Sequence, residues 1–341
     1  MSNDHPISVP KQRAARARPA IIEHVARAVA ASRIPGLHFP GFFLGIRTHR
    51  LDEDGVSISI PQGPHCTNAD GTMNIGAIAV VTDLALGGAM RVHYGHAIRM
   101  ATLTMQLNFT GIPARGDLRA DTRFDGLIQG ISSRQGRMSG EVYAGKDLLI
   151  RATASFGTPP APPDAKLTDM PWFEAHKAQS MEPIPDAQLH KRELDIIRRA
   201  KAALRAAEKD AGRHGHAFIE HFWSQLPRKT RDGAVCSVPL ALHNGNRVGH
   251  AQGGVLFAMA VSTAMKALPA ASVLTSATAW YIRPGTGHKL KVRSRILQQG
   301  RTTVVVLTEV SDAEGHRVLE AMTTHAYPEH HVHADKAAGT Q

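Results

Sequence analysis

Asp83 stands where a carboxylate is hard to keep. From Ile75 to Met90 the chain reads IGAIAVVTDLALGGAM, in which Thr82 and Asp83 are the only polar side chains. A buried carboxylate loses its hydration, so it takes a partner, shifts its pKa, or serves chemistry as a base or nucleophile. For an isolated Asp the structural outcome, capping or bonding a neighbour, is the commoner one. Other chemistries lack their residue patterns. The 20 histidines include no HExxH or comparable ligand spacing, the cluster HHVH (330–333) falls in a polar tail, and neither a Walker loop nor a GxSxG elbow occurs. No metal site and no cofactor are therefore expected.

The elements that must position Asp83 occur twice. DGVSISIPQGPHCTNADGTMNIG (54–76) and DGAVCSVPLALHNGNRVGHAQGG (232–254) align without a gap. At a constant offset Asp54/Asp232, Gly55/Gly233, Ser59/Ser237 and Pro61/Pro239 are identical, as are His65/His243, Asn68/Asn246, Gly71/Gly249 and Gly76/Gly254. Because His65 and His243 recur in both copies, a shared structural role is expected of them. After each copy comes an apolar segment, 75–90 and 253–268, too short to span a membrane and apolar almost all round, as a helix wrapped by a sheet reads. Strand patterns follow. In TLTMQLNFT (102–110) Leu103, Met105, Leu107 and Phe109 alternate with Thr104, Gln106 and Asn108, and DLLIRATASF, KLKVRSRIL, TTVVVLTEV and RVLEAMTTHAY continue the pattern. The fold class expected is α+β, with two units each made of an antiparallel sheet around an apolar helix. Between them lie the Pro-rich GTPPAPPDA (157–165) and an amphipathic helix over 185–211, read as surface packing.

These residues resemble the hotdog-fold acyl-CoA thioesterases of the PaaI-like type, whose motif is Asn-x-x-Gly-x-x-His-Gly-Gly followed by an acid seven residues past the second Gly. The resemblance covers two tandem units and divides the chain into a basic arm and helix (1–40), hotdog domain 1 (41–158), linker and charged helix (159–216), hotdog domain 2 (217–328) and a polar tail (329–341). Neither unit has the whole motif. The first keeps Asn68 and the acid, Asp83, but has Asn74, Ile75 and Gly76 at the His-Gly-Gly positions. The second keeps Asn246, with Gln252, Gly253 and Gly254 there and Val261 in place of the acid.

In that family, sites form across the pairing of two units. Carried over, Asn246 and the Gly253 amide face Asp83 in one composite site, with Gly254 beside them. Asn68, Asn74 and the Ile75 amide face Val261 in a second site that has no base and is left to structure or binding. The resemblance implies that the helix amide and Asn246 stabilise the thioester oxyanion while Asp83 acts as general base or forms an anhydride. Gln252 either positions the thioester or is passive, and Thr102 either helps hold the water or is an ordinary strand residue.

The net charge of +11, from 40 Lys and Arg against 29 Asp and Glu, suits an anionic partner. Coenzyme A, as part of the substrate, fits it, with Arg283 and Arg301 as candidate contacts. Aromatic residues at 5% do not interleave with the basic ones, which counts against nucleic acid. Two cysteines without a CxxC, no signal-like N-terminus and no long apolar run imply a cytoplasmic protein with no membrane insertion. A dimer of tandem chains is the family expectation. The alternative reading is a noncatalytic acyl-CoA-binding or regulatory protein, because each unit has lost part of the motif. Enoyl-CoA hydration would need an Asp–His pair on another segment, and a purely structural scaffold is the remaining alternative.

Overall fold

The computed structural model describes residues 11–95, 97–131, 134–159, 168–210, 216–269 and 272–328. HHVH and most of the Pro-rich linker lie outside them. Helices α1 (Lys11–Ala31) and α2 (Phe39–Leu44) precede the first unit, so α2 straddles the boundary drawn at residue 41. That unit runs β1 (Arg47–Asp52), β2 (Gly55–Ile60), α3 (Ile75–Tyr94), β3 (Ala101–Phe109), β4 (Leu118–Leu127), β5 (Gln135–Ala144) and β6 (Asp147–Gly157). After α4 (Lys191–Asp210) and α5 (Phe218–Phe222) comes the second: β7 (Arg228–Lys229), β8 (Gly233–Pro239), α6 (Gly253–Ala267), β9 (Val273–Tyr281), β10 (Lys289–Gln299), β11 (Thr303–Ser311) and β12 (Arg317–Ala326).

Among the described residues these strands form one antiparallel sheet in the order β1-β2-β4-β5-β6-β3-β9-β12-β11-β10-β8-β7. β3 and β9 join the halves, with Met105 opposite Ala279 and Leu107 opposite Ala277. Each half wraps its apolar helix, giving two hotdog units in one chain. α3 is long and apolar enough to cross a membrane, but 89% of its apolar window is buried inside the protein. The two core helices touch. A Cβ at Gly254 would fall 2.6 Å from the Ala79 carbonyl oxygen, so only glycine permits α6 to lie against α3 there.

The sequence repeat is also a structural repeat. Isolated bridges Thr67–Met73 and Gly245–Ala251 close equivalent loops, and Gly71 and Gly249 both take φ of 80°. His65 and His243 are buried in both copies and stay neutral, His243 with its pKa lowered by burial to about 3.

Two elements differ from the sequence pattern. A register shift between Thr102 and Thr104 interrupts the alternation of β3; without that bulge Thr102 would share the outer face of Thr104 and Gln106. The expected helix 185–211 begins only at Lys191, after a 3-10 turn at Asp186–Gln188. Its start is fixed by Glu193, which accepts from the His190 amide at 2.8 Å and pairs with Arg33, in the turn after α1, at 2.7 Å. α4 does more than cover a surface, since Ile196, Ile197, Ala200 and Ala203 are buried in the main core.

Candidate active site

Asp83 sits midway along α3, 7% exposed, and points at the N-terminus of α6. Its Oδ1 accepts from Thr102 Oγ1 at 2.9 Å; the bulge in β3 is what brings this hydroxyl to the helix. Its Oδ2 accepts from Gln252 Nε2 at 2.7 Å and from the Gly254 amide at 3.2 Å. Burial pushes the Asp83 pKa up to about 6, against the pull of the Thr102, Gly254 and Gln252 hydrogen bonds.

Gln252 is the N-cap of α6. Its Oε1 accepts from the Val255 amide at 2.8 Å while its Nε2 holds Asp83, so both polar ends are engaged within the protein. Geometry therefore makes it a positioning residue for the carboxylate. Gly253 must be glycine for the same closeness: a Cβ would lie 2.9 and 3.0 Å from the Asp83 oxygens and 3.0 Å from Thr102 Oγ1. Among the described residues, the Gly253 N–H has no hydrogen-bond partner, so the end of α6 presents a bare donor beside the carboxylate.

Asn246 lines the same cavity, but its Oδ1 accepts from the Val248 and His250 amides, both at 3.0 Å. The repeated Asn thus organises a tight loop in the manner of an Asx turn. Only its Nδ2 end remains to donate outward.

The cavity has a volume of about 320 Å³. Tyr281, which the sequence reading missed, lines it and donates to the Gly253 carbonyl at 2.9 Å. Burial, with Asp83 nearby, holds its phenol well above the usual pKa and keeps it a donor. Arg283 lines the cavity on an exposed stretch after β9. Arg91, Arg99, Arg247 and His38 also line it and were likewise missed. Spacing could have found one of them, because Arg91 falls two helical turns past Asp83 with Gly87 and Gly88 between.

Three expected site residues do not come to this cavity. Arg301 lies in the β10–β11 hairpin, where Val304 and Val306 pack on Ala264 and Leu268 at the far end of α6. Asn74 caps α3 through Gly76 at 2.8 Å and donates to Asn68 Oδ1 at 2.7 Å, while Asn68 donates to Thr72 and Met73. Both amides are engaged in the loop. The space before α3 is filled as well, since a Cβ at Gly76 would lie 2.5 Å from the Trp223 ring. Trp223, fully buried against Phe43, occupies that space. Elsewhere, atoms of Asp312, Glu314 and His316 lie within 4.8 Å of one another on a hairpin, where Asp312 already accepts from the His316 ring.

Residues 243–326 match the family model of the acyl-CoA thioesterase N-terminal domain. The matched stretch contains Asn246, Gln252, Gly253 and Tyr281, while Asp83 comes from the unmatched half. No curated protein matches the chain. Among solved structures the chain is similar to a Bacillus halodurans protein crystallised with CoA, at 17% identity over 42% of this chain and 97% of that one, TM-score 0.37. It is similar to the tesB protein of Mycobacterium avium subs paratuberculosis at 12% identity over 82% and 96%, TM-score 0.46. The 12:0-ACP thioesterase of Umbellularia californica stands at 13% identity over 82% and 92%, TM-score 0.44.

Proposed function

We propose that this chain hydrolyses an acyl-CoA thioester to the free acid and CoA at the single site between its two halves. One observation carries the reading: a buried carboxylate of one half is held against the bare helix N-terminus of the other, with donors on both of its oxygens. The matched thioesterase domain supports the reaction class.

The thioester carbonyl would lie at the Gly253 N–H, aided by Asn246 Nδ2, where the developing oxyanion meets the positive end of α6. Oδ2 of Asp83 already accepts two hydrogen bonds and Oδ1 one, which favours a held base over a free nucleophile. A water beside Oδ1 and Thr102 would lose its proton to Asp83 as its oxygen attacks the carbonyl carbon. Collapse of the tetrahedral intermediate breaks the C–S bond, and the CoA thiolate leaves to be protonated. Thr102 and Gln252 orient the carboxylate, and the exposed Arg283 suits the phosphates of CoA at the mouth.

The test is thiol release from a panel of acyl-CoAs. Asp83→Ala and Asn246→Ala should each lower kcat by about a hundredfold or more, and Asn68→Ala should be mild. Binding of acyl-CoA with no Asp83-dependent turnover on any chain length would turn the reading to a binding protein.

A further inference from the structure

The stretch between the two units does more than connect them. The described residues resume at Thr168, and from there the chain runs across the first unit as a strap. Its Thr168 carbonyl accepts from Arg247 of the second unit, and its Trp172 carbonyl accepts from Thr48 Oγ1 of β1 at 2.7 Å. Between these points it presses on the turn after α1. Gly36 there has a φ of 114°, and a Cβ on it would fall 2.1 Å from the Asp169 carbonyl oxygen, so only glycine admits the strap. Trp172 then opens a 3-10 segment, Trp172–Ser180, that packs on α1 and β1. Both units therefore fix the strap.

Its apolar side chains turn inward. Met170 and Trp172 are buried, and both line the cavity that holds Asp83. From Asp83 that cavity follows α3 past Leu84, Gly87 and Gly88, with Met100 and Phe156 beside Gly87 and the Trp172 ring against Gly88. Glycine inside a helix weakens it, so each of these two needs a reason. At Gly88 the reason is the ring, since a Cβ would lie 3.2 Å from it and 3.3 Å from Val56. At Gly87 the neighbours do not require glycine, because a Cβ would meet Met100 and Phe156 at 3.4 Å, ordinary contact. What Gly87 leaves open is the cavity itself.

We propose that the strap closes an acyl passage along this face of α3, with the Trp172 ring as its stop, and that the substrates are CoA esters of medium-chain acids. This rests on the thioesterase reading above and deepens it. Gly88 is five residues past Asp83, which is about 7.5 Å along the helix axis. A saturated chain with bonds of about 1.5 Å advances about 1.3 Å per carbon, so about six carbons reach the ring from a carbonyl held beside Asp83. Up to that point each methylene leaves water for the apolar walls of Leu84, Met100 and Phe156, a gain of about fourfold apiece. A longer chain meets a ring that is itself packed on Gly88 and Val56 and tied through its own carbonyl to β1, so it enters only by straining the core.

The experiment measures thiol release by the full chain from butyryl-, hexanoyl-, octanoyl-, decanoyl- and palmitoyl-CoA, with calorimetric Kd values for the same esters on Asp83→Asn and on its double variant with Trp172→Ala. The wild-type kcat/KM should peak at hexanoyl- or octanoyl-CoA and fall by about tenfold or more at palmitoyl-CoA. Trp172→Ala should move the peak to decanoyl-CoA or beyond. A tryptophan with a structural role alone would lower every ester alike and leave the peak in place. If Trp172→Ala fails to fold, Trp172→Phe keeps most of the packing and should raise the ratio of decanoyl- to hexanoyl-CoA turnover in the same direction. Wild-type rates that climb through palmitoyl-CoA overturn the proposal, as does a peak that stays where it was in a folded Trp172 variant. Absence of turnover on all five esters sinks the thioesterase reading alone, and the Kd series, with and without the Trp172 ring, then decides the stop by itself.

Discussion

Tyr281 and Asp83 hold opposite ends of one peptide unit. The phenol donates to the Gly253 carbonyl at 2.9 Å, and the amide on the other side of that peptide, Gly254 N–H, donates to Asp83 Oδ2 at 3.2 Å. Hydrogen bonds in series polarise one another, so the phenol strengthens the donor that steadies the carboxylate and fixes the first turn of α6. Tyr281→Phe should lower kcat by about tenfold or less, on the scale of one hydrogen bond, and move the acidic limb of the pH–rate profile upward. A profile identical to wild type would remove Tyr281 from the site's function.

Asp83 must be ionised to act as a base, and its pKa is raised to about 6. kcat/KM should therefore fall as pH drops through about 6, tending to tenfold per unit below it. The stability sign is the reverse. Because the folded pKa lies above the unfolded value of 3.8, the native state favours the protonated acid. The cost of burying the charge grows as pH rises from 3.8 and is complete above about 6. Asp83→Asn should thus be inactive yet more stable than wild type at pH 8, by about 1–3 kcal/mol, with the gain vanishing near pH 4. Thermal melts at the two pH values check this. A variant less stable at pH 8 would mean that the three hydrogen bonds outweigh the desolvation.

Gly253→Ala separates packing from chemistry. Elsewhere in a helix the added methyl would be tolerated or helpful, since alanine favours helix by about 1 kcal/mol. Here it meets both Asp83 oxygens and the Thr102 hydroxyl at 3.0 Å or less. The carboxylate has to turn, so kcat should fall by about a hundredfold while the melting temperature changes little. Retained kcat would place the reacting carbonyl away from the end of α6.

Much of this was legible because it depends on local pattern. The tandem repeat, the two apolar helices and the acid in one of them are properties of short stretches, and the missing Gly at Ile75 and acid at Val261 point to one site. What was not legible depends on side chains brought from a distance. Thr102 reaches Asp83 only because β3 bulges, which an alternating TLTMQLNFT does not announce. Asn68 and Asn246 were named from the resemblance; what the fold adds is the loop each one closes, Asn68 donating to the Met73 carbonyl and Asn246 accepting from the Val248 amide. Arg301 lies at the far end of α6 from the cavity, while Arg91 falls immediately after the segment read as apolar, which ended at Met90.

The plug of the second site gives the last test. Trp223 belongs to neither sequence repeat; it follows α5 and packs with Phe43 over the start of α3. A residue at zero exposure cannot be trimmed without leaving a cavity, so Trp223→Ala should cost about 3–5 kcal/mol. Its kcat at moderate temperature should stay near wild type, because Asp83 sits midway along α3 against the N-terminus of α6, away from the start of α3. Opening the plug should not create a second active site, since Ile75 still occupies the position of Gly253 and Val261 that of Asp83. In the Asp83→Ala background, then, Trp223→Ala should restore no thiol release. Any turnover regained there would show that the second site is blocked rather than lost, and that a base other than Asp83 serves it.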